Sequence, residues 1–413
     1  MREMTVLDIP TKKKGVKPNL LKEYDKNVPH IIKYMGSKKN ILDFVIEAVN
    51  DTYKDGSLCD LFGGTSILSG ALGKLIPIHS NDIQEYSSIL AKTYLSNYQW
   101  EKYPSDVLND IIEKASKYVK SINKKYPDFI FSYSEKLTVK QFVELEKKQQ
   151  ELIDVNFNNL THHLFIKYYS GTYWSYQQCV WIDAFRKVAD EYKDSPVYFL
   201  ILSSLMFAMS YNSQSTGHYA QYRDATSLSS KTDILIYRKK EILPYFVNKF
   251  TELQAYVGEN NLNHKVTSLS YDKCLDEIQA GCLVYADPPY AFVHYSRFYH
   301  TLETLVKYDY PTVDFKGRYR IDRHQSPFCK KTEVYTAFAT MFLKVNNKNA
   351  DIILSYSDTG MVTLNEILEI AVKNLSNKYT LSVKEVDYKH STMGRKFDKN
   401  KDVKEYLIIA KCK

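Results

Sequence analysis

Short apolar runs alternate with helical patterns between residues 58 and 100, and this alternation limits the possible fold more than any other feature. The run LCDLF (58–62) predicts a buried strand, and ILSGAL begins a helix after it. LIPIHSND (75–82) predicts a second strand, which the helix YSSILAKTYLSNYQW follows. Successive strands joined by helices cross over the sheet and run parallel. The sequence therefore predicts an α/β fold.

The alternation stops near residue 101 and resumes near residue 261. The segment between them is mostly helical in pattern and rich in Lys, Glu and Tyr. Strand patterns return at HKVTSLSY (264–271), CLVYAD and ADIILSYS (350–357). The last two, YTLSVKEVDY and EYLIIAKC, have no clear helix between them and predict an antiparallel hairpin at the sheet edge. We expect a basic arm (1–27), one α/β domain (28–100 and 261–413) and a helical insertion (101–260).

Charge and composition restrict the partners and the compartment. The chain has 413 residues, a net charge of +8 and a pI near 8.8, which suits a polyanionic partner. It has no apolar run near the roughly 20 residues of a membrane span, and its start lacks the apolar core of a secretory signal. The six cysteines show no C-x-x-C spacing, so we expect neither structural zinc nor disulfides, and a cytoplasmic location.

Three polar stretches follow predicted strands, at the edge where open α/β sheets bind ligands. DLFGGTS (60–66) combines a glycine turn with a helix start, which lets a ligand approach the backbone. Asp82 ends the second strand, where an acid can accept both hydroxyls of a ribose or can cap a helix. Asp287 precedes Pro288 and Pro289, which must end a strand. Together these stretches favour an adenosine-type cofactor.

Three motifs give the chain a family resemblance. KYMGSK (33–38), FGG (62–64) and DPPY (287–290) occur in this order and resemble the signature set of class-alpha adenine-N6 DNA methyltransferases, the group that includes Dam. GTYWSYQQCVWIDAFR, STGHYAQYR and YSRFYHTLETLVKYDYP are also similar to that family. The resemblance covers about residues 31–100 and 169–412. It implies a Rossmann-like, seven-stranded, mostly parallel sheet whose helical insertion is a target-recognition region.

The resemblance also implies a cofactor, S-adenosylmethionine, and no metal. Asp82 matches the family's ribose acid, Asp287 lies near the methionine amino group, and Asp60 stays open between cofactor binding and turn capping. The residues expected to contact the cofactor are Tyr34, Lys38, Asp60, Phe62, Gly63, Asp82, Tyr271 and Asp287.

The DPPY motif suits methylation of an amine. The lone pair of the exocyclic nitrogen of adenine is delocalised into the ring, which makes the nitrogen a poor nucleophile. Asp287 and the carbonyl of Pro288 are expected to accept its two hydrogens, with Pro289 fixing the backbone and Tyr290 stacking on the flipped base. The predicted function is site-specific adenine-N6 methylation of double-stranded DNA. The expected system is restriction–modification, with a separately acting cognate endonuclease, no membrane contact, and a monomer or weak dimer.

Other functions and the source of DNA recognition stay open. A solitary regulatory methyltransferase, an RNA adenine methyltransferase and an inactive DNA-binding relative are the alternatives. In the polar loop 212–231, Gln221 and Arg223 are expected to read bases, and Lys231, together with Arg238 beyond the loop, is expected to contact phosphates, unless the loop is only a solvated connector. In that case the segment 292–331 is expected to recognise DNA instead.

Overall fold

A computed structural model describes residues 19–36, 38–129, 131–214, 218–289, 295–391 and 400–413. Tyr290, and with it the predicted stacking on the base, lies outside the described residues, as does most of the predicted basic arm. The strands in the described parts are β1 (Leu58–Asp60), β2 (Ile78–Asn81), β3 (Lys265–Thr267), β4 (Leu283–Ala286), β5 (Val313–Asp314), β6 (Tyr319–Arg320), β7 (Asp351–Ser357), β8 (Tyr379–Ser391) and β9 (Asn400–Cys412).

The helices flank the strands and fill the region between β2 and β3. In chain order they are α1 (Leu20–Glu23), α2 (Leu42–Thr52), α3 (Ile67–Leu72), α4 (Glu85–Leu95), α5 (Val107–Lys125), α6 (Val139–Gln150), α7 (Leu164–Tyr169), α8 (Tyr176–Glu191), α9 (Val197–Asn212), α10 (Leu228–Arg238), α11 (Ile242–Tyr256), α12 (Tyr271–Glu277), α13 (Tyr295–Phe298), α14 (His300–Lys307), α15 (Val334–Asn347) and α16 (Leu364–Asn374). Among these described helices, none combines the length and the apolar character needed to cross a bilayer.

One sheet of seven strands forms the centre of the molecule, in the order β3-β2-β1-β4-β7-β9-β8. The first five strands pair in parallel, and β9 pairs antiparallel with both β7 and β8. The predicted fold class and the C-terminal hairpin are therefore confirmed. The direction of winding reverses between β1 and β4, and this reversal opens a crevice at their carboxyl ends.

The third strand is shorter than the predicted 264–271. It ends at Thr267 because, beyond this residue, hydrogen bonds from the Asn81 side chain take the place of backbone hydrogen bonds between β2 and β3. Asn81 Oδ1 accepts from the Leu269 backbone N–H at 3.0 Å, and its Nδ2 donates to the Leu269 carbonyl at 3.0 Å. Tyr271 consequently begins α12 instead of ending a strand.

The described parts of 101–260 are mostly helical, as the sequence predicts. α5 buries one face, including Ile111, Ala115 and Ile122, whereas α9 is buried nearly all round because it is apolar on every side. Side chains of these helices share a continuous apolar core with one face of the sheet. The predicted polar loop is shorter than expected, because Ser227 and Ser230 form a capping box that begins α10.

Candidate active site

A cavity of about 290 Å³ lies at the carboxyl ends of β1, β2 and β4. This volume is at the lower end of the roughly 300–1,000 Å³ typical of ligand pockets. All the residues predicted to contact the cofactor line it, and so do three of the predicted catalytic residues, one of which, Asp287, belongs to both sets. These lining residues are Tyr34, Lys38, Asp60, Phe62, Gly63, Asp82, Tyr271, Asp287, Pro288 and Pro289. Strand ends and turns far apart in sequence therefore meet in one cavity.

The glycine turn after β1 is held close to the end of β2. The Gly63 N–H donates to the Asn81 carbonyl at 2.8 Å, and the Gly64 N–H donates to Asp82 Oδ2 at 2.9 Å. Gly64 has a φ of +52°, a conformation that favours glycine. A Cβ atom there would lie 3.4 Å from the ring of Tyr34. The turn thus needs glycine for its own backbone and for the approach of Tyr34.

The segment that contains Tyr34 covers this turn. The Tyr34 ring stacks with the ring of Tyr299 at a centroid distance of 4.7 Å and with the ring of Tyr295 at 5.5 Å. The Met35 N–H donates to the Tyr299 hydroxyl at 2.8 Å. Tyr295 and Tyr299, which lie in α13 and directly before α14, therefore hold Tyr34 and Met35 over the cavity.

Asp287 lies directly after β4 and belongs to a buried ion cluster. Lys38 Nζ is 3.1 Å from Asp287 Oδ1 and 2.6 Å from Glu405 Oε1. Ser355 Oγ also donates to Glu405 Oε1, at 2.6 Å. Burial raises the pKa of Asp287 to about 6, although the ammonium of Lys38 opposes the rise. Asp287 is therefore a carboxylate at neutral pH and can accept hydrogen bonds from an amine.

Two more acids face the same cavity. Burial, reinforced by the charges of Asp287 and Asp82, raises the pKa of Asp60 to about 7, and the Ser69 hydroxyl donates to it at 3.4 Å. Burial also raises the pKa of Asp82, whose two oxygens accept from the Gly64 and Gln84 N–H groups, each at 2.9 Å. Asp82 thus caps a turn and lines the cavity. A cationic ligand would relieve this concentration of negative charge.

Aromatic rings form one wall of the cavity. Phe62 and Tyr271 lie nearly parallel at 6.3 Å, and Phe328 meets both edge-on, at 5.5 and 5.0 Å. Pro327 and Cys329, the neighbours of Phe328, also line the cavity. The sequence did not single out this segment for cofactor binding. Ser326-Pro327 at the start of a short 3₁₀ turn was the available signal.

Two predicted phosphate contacts have structural roles instead, which corrects the sequence-based expectation for both. Lys231 is buried on α10 and donates to the Glu135 and Leu137 carbonyls at 3.0 and 2.7 Å. Arg238 is also buried, where its Nε donates to Glu146 at 3.0 Å. A phosphate would have to displace these bonds inside the protein.

The two predicted base-reading residues lie nearer the surface. Gln221 is exposed on a segment without regular secondary structure, and Arg223 is half-buried and forms an ion pair with Asp233. Their predicted contact with bases stays a prediction.

A cluster of Cys59, His79 and Cys274 is a feature that cysteine spacing did not predict. Their ligand atoms lie within 4.8 Å of one another, because β1 and β2 place residues 59 and 79 side by side and α12 adds the third. The two Sγ atoms are 3.9 Å apart, and His79 Nε2 is 3.0 Å from the Thr267 hydroxyl, which donates to Asn81. Hydrogen bonds within the protein account for this cluster, and the expectation of no metal stays a prediction.

Comparison with known proteins agrees with this geometry. A family model described as D12 class N6 adenine-specific DNA methyltransferase matches residues 34–370. Type II methyltransferase M.FokI of Planomicrobium okeanokoites is 26% identical over 91% of this chain and 52% of its own length. Modification methylase StsI of Streptococcus sanguinis is 23% identical over 92% of this chain and 52% of its own. Type II methyltransferase M.NlaIII of Neisseria lactamica is 22% identical over 82% of this chain and 86% of its own length. The chain spans about half the length of the first two relatives.

Proposed function

Because the chain belongs to the D12 class N6 adenine-specific DNA methyltransferase family, we propose that it transfers a methyl group from S-adenosylmethionine to the exocyclic nitrogen of adenine in double-stranded DNA. The observation that carries the proposal is the position of Asp287. It directly follows β4, is largely buried and faces the same cavity as the glycine turn and Asp82. A donor cofactor and a target amine would meet there.

The cavity fits S-adenosylmethionine by its chemistry. Asp82 is available to a ribose, Phe62 and Tyr271 offer flat apolar surfaces to a purine, and Asp60 and Asp287 can balance ammonium and sulfonium charges. When bound, the cofactor supplies an electrophilic methyl group on its sulfonium.

Asp287 and the carbonyl of Pro288 would position the amine of the target adenine. Each would accept one N–H, which directs the nitrogen lone pair toward the cofactor side of the cavity. Burial of Asp287 and its contact with Lys38 hold the carboxylate in one orientation before the base arrives. The base itself must leave the duplex to reach this depth, and Tyr290 is the proposed stacking partner.

Phosphate contacts are proposed for a basic surface beside the cavity. In sequence, Lys33 and Lys39 flank the cavity-lining residues Tyr34, Gly36 and Lys38, and the Lys33 ammonium lies 4.3 Å from the centre of the Tyr211 ring. Burial and the charges of Lys39, Lys249 and Lys33 lower the pKa of His30 to about 4, a sign of concentrated positive potential. DNA bound there would present a flipped base to the cavity.

We further propose that the protein is the modification enzyme of a restriction–modification system. The names of its relatives, which are type II and modification methylases, support this role. A cytoplasmic location and a separately acting endonuclease are part of the same proposal. The nuclease should cleave DNA from cells that express an inactive variant and should spare DNA from cells that express the parent.

Sequencing of methylated adenines in DNA from expressing cells tests the activity. The parent chain should methylate one adenine in one sequence motif, whereas Asp287→Ala and Asp287→Asn should leave that motif unmodified. Asn presents a donor where the amine needs an acceptor. Purified protein should methylate duplex DNA in preference to single-stranded DNA and RNA. Equal rates for the parent and Asp287→Asn, or a preference for RNA, would refute the proposal.

A further inference from the structure

A glutamate outside the cavity completes the ion cluster of Asp287. Glu405 lies on β9 and is only 1% exposed, yet it is not among the described residues that line the cavity. Its Oε1 atom accepts hydrogen bonds from Lys38 Nζ and from the Ser355 hydroxyl, each at 2.6 Å. Burying a carboxylate costs several kcal/mol unless its partners compensate, so a buried acid held this way has a specific role to explain.

Lys38 has two carboxylate partners on different strands. It lies 3.1 Å from Asp287 after β4 and 2.6 Å from Glu405 on β9, so one ammonium charge faces two carboxylate charges. Without Glu405, the ammonium would belong to Asp287 alone, and the pair would be neutral. With Glu405, the cluster keeps one unit of negative charge next to the cavity.

We propose that Glu405 is a positioning residue that shares the charge of Lys38, and that it thereby leaves the negative charge of Asp287 less neutralised toward the cationic methyl donor. The inference rests on the proposed function. S-adenosylmethionine carries one positive charge more than the product S-adenosylhomocysteine, because methyl transfer turns a sulfonium into a neutral thioether. A negative cluster beside the cavity therefore favours the donor over the product.

The geometry explains how a residue outside the cavity acts on it. Pairing of β7 with β9 places Glu405 opposite Ser357, and Ser355 lies two residues away on β7 and fixes the carboxylate. Asp287 also faces Asp60 on β1 and Tyr285 on β4; burial, reinforced by the charge of Asp287, raises the pKa of each, and the charge of Glu405 raises the pKa of Tyr285 as well.

Replacement of Glu405 by glutamine should change two measurable properties. Affinity for S-adenosylmethionine should fall roughly three- to tenfold more than affinity for S-adenosylhomocysteine, because only the donor feels the lost charge at its sulfonium. The midpoint of the acid limb of single-turnover methylation should move to lower pH by roughly half a unit or more, because Glu405 raises and Lys38 lowers the pKa of Asp287.

The experiment measures both affinities by calorimetry and the methylation rate between about pH 5 and pH 8. Glu385→Gln is the matched control, because Glu385 lies on the neighbouring strand β8 but is exposed and pairs only weakly with Lys404, at 3.4 Å. It should behave like the parent. Glu405→Asp keeps the charge and should retain the parent's preference for the donor over the product.

The outcomes separate this inference from the proposed function. If the parent binds S-adenosylmethionine and methylates DNA, but Glu405→Gln keeps the parent's affinity ratio and pH midpoint, the inference is overturned alone. If the parent does neither, the proposed function is refuted first. Should Glu405→Gln fail to fold, Ser355→Ala decides, because it removes the hydroxyl that holds Glu405 Oε1 against Lys38 and so lets the ammonium pair more fully with Asp287. It should shift both readouts in the same direction by a smaller amount, and no shift overturns the inference.

Discussion

Replacement of Asp82 by asparagine should separate its capping role from ribose binding. The two carboxylate oxygens accept from Gly64 and Gln84, each at 2.9 Å, so asparagine keeps one acceptor and turns a donor toward the other N–H. An unsatisfied buried N–H costs about 1–3 kcal/mol. Release of a buried charge offsets part of this cost, since burial raises the pKa of Asp82. We expect the free energy of unfolding without ligand to fall by about 1–2 kcal/mol.

The proposed ribose contact of Asp82 predicts a second loss, in ligand affinity, that appears only when ligand is added. A charge-assisted contact is worth about 1.5–3 kcal/mol, so the Kd of S-adenosylhomocysteine should rise about tenfold to a hundredfold. At a ligand concentration of 100 times the parent's Kd, the ligand stabilises the parent by about 2.7 kcal/mol. The same concentration should stabilise Asp82→Asn by only about 0.4–1.4 kcal/mol.

Urea unfolding with and without S-adenosylhomocysteine measures both quantities in one series. Asp25→Asn is the control, because Asp25 Oδ1 accepts from the N–H two residues later, at 2.8 Å, but Asp25 does not line the cavity. It should lose some stability and keep the full ligand increment of about 2.7 kcal/mol. If Asp82→Asn also keeps the full increment, Asp82 is only a cap and the ribose assignment is wrong.

Three further predictions concern the pH profile, the insertion and DNA binding. If Asp287 accepts the hydrogens of the target amine as proposed, methylation needs its carboxylate form, and burial raises the pKa of Asp287 to about 6. The single-turnover rate should then be lost as pH falls through 6, with about nine-tenths of the maximum at pH 7 and about one-tenth at pH 5. A flat profile would contradict the assignment. Arg238→Met should lower the free energy of unfolding, measured by urea denaturation, by about 3–5 kcal/mol, because it leaves the buried Glu146 carboxylate without its cationic partner. A loss below about 1 kcal/mol would contradict a structural role for Arg238. Lys39→Ala should weaken binding to all DNA sequences and reduce the slope of log affinity against log salt concentration by about one. Gln221→Ala should instead relax preference at one base pair by about 1–3 kcal/mol. Binding curves against single-base variants at several salt concentrations distinguish the two effects.

Local patterns predicted the sheet but not the lengths of its strands. Alternation of strands and helices, followed by two strand patterns with nothing helical between them, was enough to predict five parallel strands and an antiparallel hairpin. The early end of β3 depends on the Asn81 side chain bonding to Leu269, a contact between residues far apart in sequence. The hydrophobic periodicity of residues 264–271 depends only on these residues and therefore cannot indicate a bond to Asn81.

The site was predictable as far as strand ends could be recognised. Asp60, Asp82 and Asp287 each follow an apolar run, so their meeting at one sheet edge follows from parallel topology. Glu405 lies inside a strand pattern whose burial depends on the pairing of β7 with β9, and no local signal marks it. Lys231 was misjudged because its polar surroundings predict a loop, whereas the capping box of Ser227 begins a helix that buries it.

The described parts of the two segments predicted as alternative sources of DNA recognition pack against each other. Tyr219 donates its N–H to the Phe298 carbonyl at 2.7 Å, which joins the segment 212–231 to the segment 292–331. A Cβ atom added to Gly317 would lie only 2.4 Å from the carbonyl of Ala220, the neighbour of Gln221. The turn that contains Gly317 therefore helps to set the position of Gln221. If either segment recognises DNA, as predicted, recognition would depend on both, because movement of either would displace the other relative to the cavity.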